Sequence, residues 1–68
     1  MKISVNGEER LIESDSSISL NETIKLLGYS SNTIVVELNK IIINSEEWKD
    51  KYISNGDKLE IVSIVGGG

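Results

Sequence analysis

The sequence predicts an α+β fold in which a mixed β-sheet of about four to five strands packs on one main helix. Three features predict it: an Asn6-Gly7 turn near the start, a helix cap at Ser19, and an apolar stretch from Lys58 to Val65. With 68 residues, the chain has room for one domain. We expect that domain to span residues 1–65, followed by a flexible glycine tail at residues 66–68.

The N-terminal residues predict a β-hairpin. Lys2 to Val5 alternates polar and apolar side chains, as a strand with one buried face does. Asn6-Gly7 suits a type I′ turn, because both central residues of that turn need a positive φ. The returning strand is predicted for Glu8 to Glu13.

A helix of about two turns follows a polar link at Ser14 to Ser17. Ser19 and Glu22 have the spacing of a capping box, in which each side chain can bond an unpaired backbone N–H at the helix start. Gly28 suits the left-handed position that ends a helix. Between them, apolar residues recur at helical spacing at Leu20, Ile24 and Leu27.

The second half of the chain predicts further strands. The β-branched run Thr33 to Leu38 indicates a strand, Asn39-Lys40 a turn, and Ile41 to Ile43 a short strand. Lys58 to Val65 is the last strand. The first and last strands are apolar enough to be central, and the helical connection is long enough to cross between parallel strands. A mixed sheet on one helix in this order is the β-grasp arrangement.

Two predictions concern the segment between these strands. Ser45 is expected to cap a short turn that contains Glu46 and Glu47. Trp48 and Tyr52, four residues apart, are expected to fill the core rather than to stack on a ligand.

Composition excludes several function classes. The chain has no cysteine and no histidine, so it lacks a thiol nucleophile, the usual general base and the commonest metal ligands. Its net charge of −4 disfavours nucleic-acid binding and favours docking on basic protein surfaces. The N-terminus resembles neither a signal peptide nor a membrane span, so we expect a cytoplasmic protein. We expect no catalytic residue, metal or bound cofactor in this chain.

The C-terminal glycines are the predicted functional part. Gly66 and Gly67 lack a Cβ, so they can pass through a narrow channel and present the Gly68 carboxylate to a partner's active site. A carboxylate resists attack by sulfur until it becomes a mixed anhydride, which an ATP-using partner can supply. A frayed end or linker stub is the alternative explanation of such glycines.

Alternation along two strands predicts a docking patch beside the tail. If the even-numbered residues from Ile34 to Leu38 face the helix, residues between them face outward. The expected patch consists of Val35, Glu37, Glu60, Val62 and Ile64. The alternative is that Val62 and Ile64 belong to the core, through a bulge or a different register.

The whole chain resembles the ThiS-type sulfur carriers of thiamine biosynthesis, which are β-grasp, ubiquitin-like proteins related to the small subunit of molybdopterin synthase. The resemblance rests on MKISVNGEER, SLNETIKLLG and TIVVELNKIIINSEEWKDKYISNGDKLEIVSIVGGG. The most specific part runs from Val35 through Trp48 to the terminal glycines. One departure is the third glycine, Gly66, where family members often have another small residue.

The resemblance implies that an E1-like enzyme of the ThiF type adenylates Gly68 with ATP. Sulfur from a cysteine desulfurase persulfide would then convert the carboxylate to a thiocarboxylate, which a thiazole synthase of the ThiG type would use. Three alternatives stay open. Two are sulfur carriers, one like the molybdopterin-synthase small subunit and one for another sulfur-containing metabolite. The third is a ubiquitin-like binding module whose glycines are incidental.

Overall fold

A computed structural model describes residues 1–13, 17–30 and 33–64. Five strands form one sheet in the order β2-β1-β7-β4-β5, and β3 pairs with β6 in a second, two-stranded sheet. The elements in chain order are β1 (Lys2–Val5), β2 (Glu8–Leu11), β3 (Ile18–Ser19), α1 (Leu20–Leu26), β4 (Ile34–Leu38), β5 (Ile41–Ile43), a 3₁₀ helix (Ser45–Glu47), β6 (Tyr52–Ile53) and β7 (Lys58–Ser63). The predicted mixed sheet with one main helix is confirmed.

The first and last strands lie side by side in the middle of the larger sheet. They run parallel, with Val5 opposite Leu59, whereas β1–β2, β4–β7 and β4–β5 are antiparallel. Both strands alternate buried and exposed residues, because one face of the sheet covers the core and the other faces solvent. The predicted central position of both strands is confirmed.

Local backbone chemistry explains the two hairpin turns. Asn6 and Gly7 have φ values of 52° and 83°, as a type I′ turn requires. Asn39 and Lys40 have φ values of 52° and 73° and make a turn of the same length between β4 and β5. Asparagine tolerates this left-handed conformation better than most side chains do.

The helix begins and ends at the predicted residues. The Ser19 Oγ accepts a hydrogen bond from the Glu22 N–H at 3.1 Å, which is one half of the predicted capping box. Thr23 is buried, and its hydroxyl donates to the Ser19 C=O at 2.9 Å. Gly28 follows the helix with a φ of 87°. The helix is therefore bounded by a side-chain cap and a left-handed glycine.

The core lies between α1, the 3₁₀ segment and one face of the larger sheet. Its largest aromatic side chain, Trp48, is 2% exposed, and its Nε1 donates to the buried Ile43 C=O at 2.9 Å. The other buried apolar residues are Ile3, Val5, Ile12, Leu20, Ile24, Ile34, Val36, Leu38, Ile43, Ile53, Leu59 and Ile61.

Two local predictions are wrong. Tyr52 is 58% exposed rather than core, because it lies on β6, where the next residue, Ile53, takes the buried position. Asn44, not Ser45, is the residue before the 3₁₀ helix, and its side chain makes no capping hydrogen bond. The second sheet was also not predicted, because each of its strands has only two residues and shows no periodicity.

Candidate functional site on the outer face of the sheet

The outer face of the larger sheet carries the predicted docking residues. Along β4 and β7 buried and more exposed residues alternate, which confirms the predicted alternation. Val62 is 60% exposed and Ile64 is 53% exposed, so neither belongs to the core. Together with Val35, Glu37 and Glu60, they form a surface that we call the outer patch.

The strand register brings these residues together. Val35 lies opposite Val62, and Glu37 lies opposite Glu60, on the antiparallel pair β4–β7. Directly opposite side chains in such a pair are within contact range. The outer patch therefore has an apolar end near Ile64, where the chain leaves the sheet, and an acidic end at Glu60, four residues earlier in the chain.

One exposed residue beside the outer patch was not predicted from the sequence. Ile42 is 63% exposed and lies opposite Glu37 on the edge strand β5. The two-residue turn Asn39-Lys40 was the signal that could have found it, because a two-residue hairpin loop fixes the register of the strands that it joins.

Asn6 and Asn39, in the turns on the two sides of the last strand, form side-chain hydrogen bonds to its backbone. The Asn6 Oδ1 accepts from the Ile61 N–H at 2.7 Å, and its Nδ2 donates to the Ile61 C=O at 3.2 Å. The Asn39 Oδ1 accepts from the Lys58 N–H at 3.0 Å, and its Nδ2 donates to Asp57 Oδ1 at 3.1 Å. These contacts hold the start and the middle of β7 and so orient its exit from the sheet.

The chain leaves the sheet at the apolar end of the outer patch. The Ile64 N–H donates to the Thr33 C=O at 2.6 Å, so the pairing with the β4 side continues one residue past β7. The predicted tail residues Gly66, Gly67 and Gly68 lie outside the described residues.

The electrostatics of the outer patch are acidic. Within residues 1–13, 17–30 and 33–64, the one ion pair joins Lys2 Nζ and Glu9 Oε2 at 3.7 Å, away from Glu37 and Glu60. The same residues contain no group of three or more side chains suited to hold a metal ion. None of the helical segments that the structure describes is long and apolar enough to cross a membrane.

This sequence and fold are similar to those of known proteins. The ThiS family model matches residues 3–68, which include the three terminal glycines. The chain belongs to the ThiS family. The fold agrees, because the crystal structure of the thiamine biosynthesis protein ThiS from Geobacter metallireducens superposes with a TM-score of 0.86 at 26% identity, over 100% of both chains. The protein is therefore a ThiS-type, ubiquitin-like β-grasp protein of a family of sulfur carriers.

Two sequence relatives show how this ThiS-type domain occurs elsewhere. The uncharacterized protein ycf40 of Trieres chinensis is 39% identical over 64 residues, which cover 94% of this chain and 85% of that protein. The thiazole synthase of Paramagnetospirillum magneticum is 37% identical over all 68 residues, but these cover only 20% of that protein. A ThiS-like segment can thus be part of a longer chain.

Proposed function

We propose that the protein carries sulfur as a thiocarboxylate on Gly68 and supplies it for the thiazole of thiamine. The observation that carries this proposal is the family match, which continues through the last glycine. The fold supports it, because the central strand β7 ends at Ser63, only five residues before Gly68 in the sequence.

The chemistry on Gly68 needs a partner enzyme. In the first step, a carboxylate oxygen attacks the α-phosphorus of ATP, an acyl-adenylate forms and pyrophosphate leaves. A persulfide sulfur derived from a cysteine desulfurase then attacks the acyl carbon, and AMP leaves. A thiol reduces the resulting sulfur–sulfur bond, which leaves the thiocarboxylate on Gly68. The chain itself acts as a co-substrate and binds no cofactor, and ATP is bound by the activating enzyme of the ThiF type.

Residues outside the tail serve recognition in this proposal. The chain has neither histidine nor cysteine to relay protons or sulfur. The four residues after Ile64 span at most about 14 Å when fully extended. An enzyme that activates Gly68 must therefore approach closely to the end of β7, where Val62 and Ile64 are exposed. We propose that the outer patch docks on this enzyme, with basic groups of the enzyme facing Glu37 and Glu60.

The thiazole synthase relatives support the identity of the sulfur acceptor. In two of them, a segment equal to 20% of the protein aligns with all 68 residues of this chain. A carrier joined covalently to its acceptor enzyme has a high effective concentration there, which favours joining proteins that work together. By this argument, the separate chain delivers sulfur to a thiazole synthase of the ThiG type.

Deletion of Gly68 tests the carrier function. We expect the shortened protein to fold normally and to lose adenylation by a ThiF-type enzyme completely. Lengthening the protein by one alanine after Gly68 is the matched control for tail position and should also abolish activation. A shortened protein that is adenylated at the normal rate would contradict the proposal.

Intact-mass analysis identifies the cargo. We expect protein from sulfur-replete cells with an active ThiF-type enzyme to contain a form in which sulfur replaces one terminal oxygen. That form should support thiazole formation by a thiazole synthase. If it instead supported only molybdopterin formation, the sulfur acceptor would be wrong while the carrier chemistry stood.

A further inference from the structure

The last strand extends beyond its parallel neighbour. The pairing of β1 with β7 ends where Val5 lies opposite Leu59, because the chain then turns away at Asn6. The Asn6 side chain occupies the next position and satisfies both the N–H and the C=O of Ile61. Past Ile61, no described strand accompanies β7 on this side.

The strand geometry shows which residue faces the open side. Residues of a strand direct their backbone groups alternately to the two neighbouring strands. Ile61 is bonded on the β1 side through Asn6, and Ile64 is bonded on the β4 side through Thr33. Ser63 lies two residues after Ile61, so its N–H and C=O also point to the β1 side. Among the described residues they have no hydrogen-bond partner there.

A pair of open backbone groups at a sheet edge is a template for an added strand. We infer that an extended segment of the activating enzyme pairs with the backbone of Ser63 as an added strand. The inference rests on the proposed function, which requires the enzyme to receive the tail. An added strand at this position would hold the end of β7 on the enzyme, five residues before Gly68.

Features around Ser63 favour strand addition here over the other edge of the sheet, and they favour the activating enzyme as the partner. The position is uncharged and exposed, and it adjoins the exposed apolar side chains of Val62 and Ile64. The edge strand β2, in contrast, begins with Glu8, Glu9 and Arg10, and such charges on an edge oppose strand addition. Continuity with the tail also favours the enzyme that binds the tail, because only four residues separate Ile64 from the reactive carboxylate.

Ser63→Pro tests the role of the backbone N–H. Proline has no N–H, and the Ser63 N–H has no hydrogen-bond partner among the residues that the structure describes, so the variant should fold with a Tm close to that of the wild type. With a ThiF-type enzyme and Mg-ATP, the carrier concentration at half-maximal rate should rise roughly tenfold or more, because two backbone hydrogen bonds are lost or displaced. Ser63→Ala keeps the backbone and loses only the hydroxyl, and it should behave like the wild type.

Amide hydrogen exchange on the wild-type protein provides a second, independent readout. The Ser63 amide should exchange fast in the free protein and roughly tenfold or more slowly in the complex with the enzyme. The Ile64 amide, which is bonded to Thr33, is the internal reference and should be protected in both states. If Ser63→Pro fails to fold, this measurement decides the inference by itself.

Two results would overturn the inference. One is a folded Ser63→Pro variant that is adenylated as efficiently as Ser63→Ala, and the other is a Ser63 amide that stays fast-exchanging in the complex. Either can occur while wild-type protein is adenylated normally, and the carrier function would then stand. Failure of the wild-type protein itself to be adenylated would instead refute the proposed function.

Discussion

Glu37 and Glu60 lie directly opposite each other on the neighbouring strands β4 and β7, on the solvent-facing side of the sheet. Like charges in this arrangement repel each other and destabilise the pair of strands. Within the described part of the chain, no lysine or arginine forms an ion pair with either carboxylate. The arrangement is unfavourable for the free domain and favourable for a partner that brings a cation.

Glu60→Gln should therefore stabilise the fold and weaken docking. Removing one charge should raise the free energy of unfolding by about 0.5 kcal/mol at low salt, and less at high salt, where the repulsion is screened. Urea denaturation at two salt concentrations measures this change. The matched control is Glu8→Gln, since Glu8 lies opposite the apolar Val5. Equal effects of both substitutions would show that net charge, and not this pair, is responsible.

The hydrogen bonds between Asn6 and Ile61 should contribute measurably to stability. Asn6→Gly removes both bonds but adopts the positive φ freely, and we expect a loss of about 1–2 kcal/mol. Asn6→Ala loses the same bonds and also places a Cβ in the left-handed region, at a further cost of about 1–2 kcal/mol. Denaturant unfolding of the two variants separates the contribution of the side-chain hydrogen bonds to stability from that of the turn conformation. If Asn6→Gly is as stable as the wild type, the bonds contribute nothing.

Trp48 should be the side chain on which the small core depends most. A domain of this length has a total stability of about 3–10 kcal/mol. Trp48→Ala, which leaves a large cavity, should cost about 3–5 kcal/mol and leave much of the protein unfolded. Trp48→Phe should cost less, about 1–3 kcal/mol, mostly through the lost bond to Ile43.

Circular dichroism during urea unfolding can measure both variants, because the chain has no other tryptophan to report by fluorescence. Tyr52→Phe is the control, since the exposed Tyr52 should tolerate the change within about 0.5 kcal/mol. A Trp48→Ala variant with wild-type stability would contradict the placement of Trp48 in the core.

Val62→Asp should leave the fold intact and slow adenylation. Val62 is 60% exposed, so the substitution costs little core packing, but it places a charge in the apolar end of the outer patch. We expect adenylation by a ThiF-type enzyme to fall at least about tenfold at limiting carrier concentration. Leu11→Asp is the matched control, because Leu11 is also exposed on the outer face but lies opposite Lys2, at the far corner of the sheet. Equal adenylation of the two variants would rule out docking through the outer patch.

Much of the fold could be predicted from local features. Asn6-Gly7 predicted its turn because few residue pairs adopt two positive φ values, and Ser19 predicted the helix start because its oxygen can accept a backbone N–H. Alternation along β4 and β7 predicted which residues face outward. Short elements were less predictable, since two-residue strands such as β3 and β6 exist only through their pairing with each other.

The sequence predicted which residues of β4 and β7 face outward at the candidate site, but it did not predict the residues around them. Val62 and Ile64 could be assigned to the outer face only with the alternative of a bulge, because alternation alone cannot exclude a change of register. Ile42 was not predicted to lie beside the outer patch, because its pairing with Glu37 depends on the register of β5. The exposure of Tyr52 depends on the second sheet, which the residue spacing gave no reason to expect.

By itself, the sequence determined the two hairpin turns, the helix and the longer strands of this protein, because each depends on residues close together in the chain. Only the tertiary structure decided that Glu37 lies opposite Glu60 and that the Asn6 side chain hydrogen-bonds to Ile61. It also decided that the backbone N–H and C=O of Ser63 have no partner among the described residues. These relationships join residues distant in sequence, so they follow from how the strands pair and not from any local pattern.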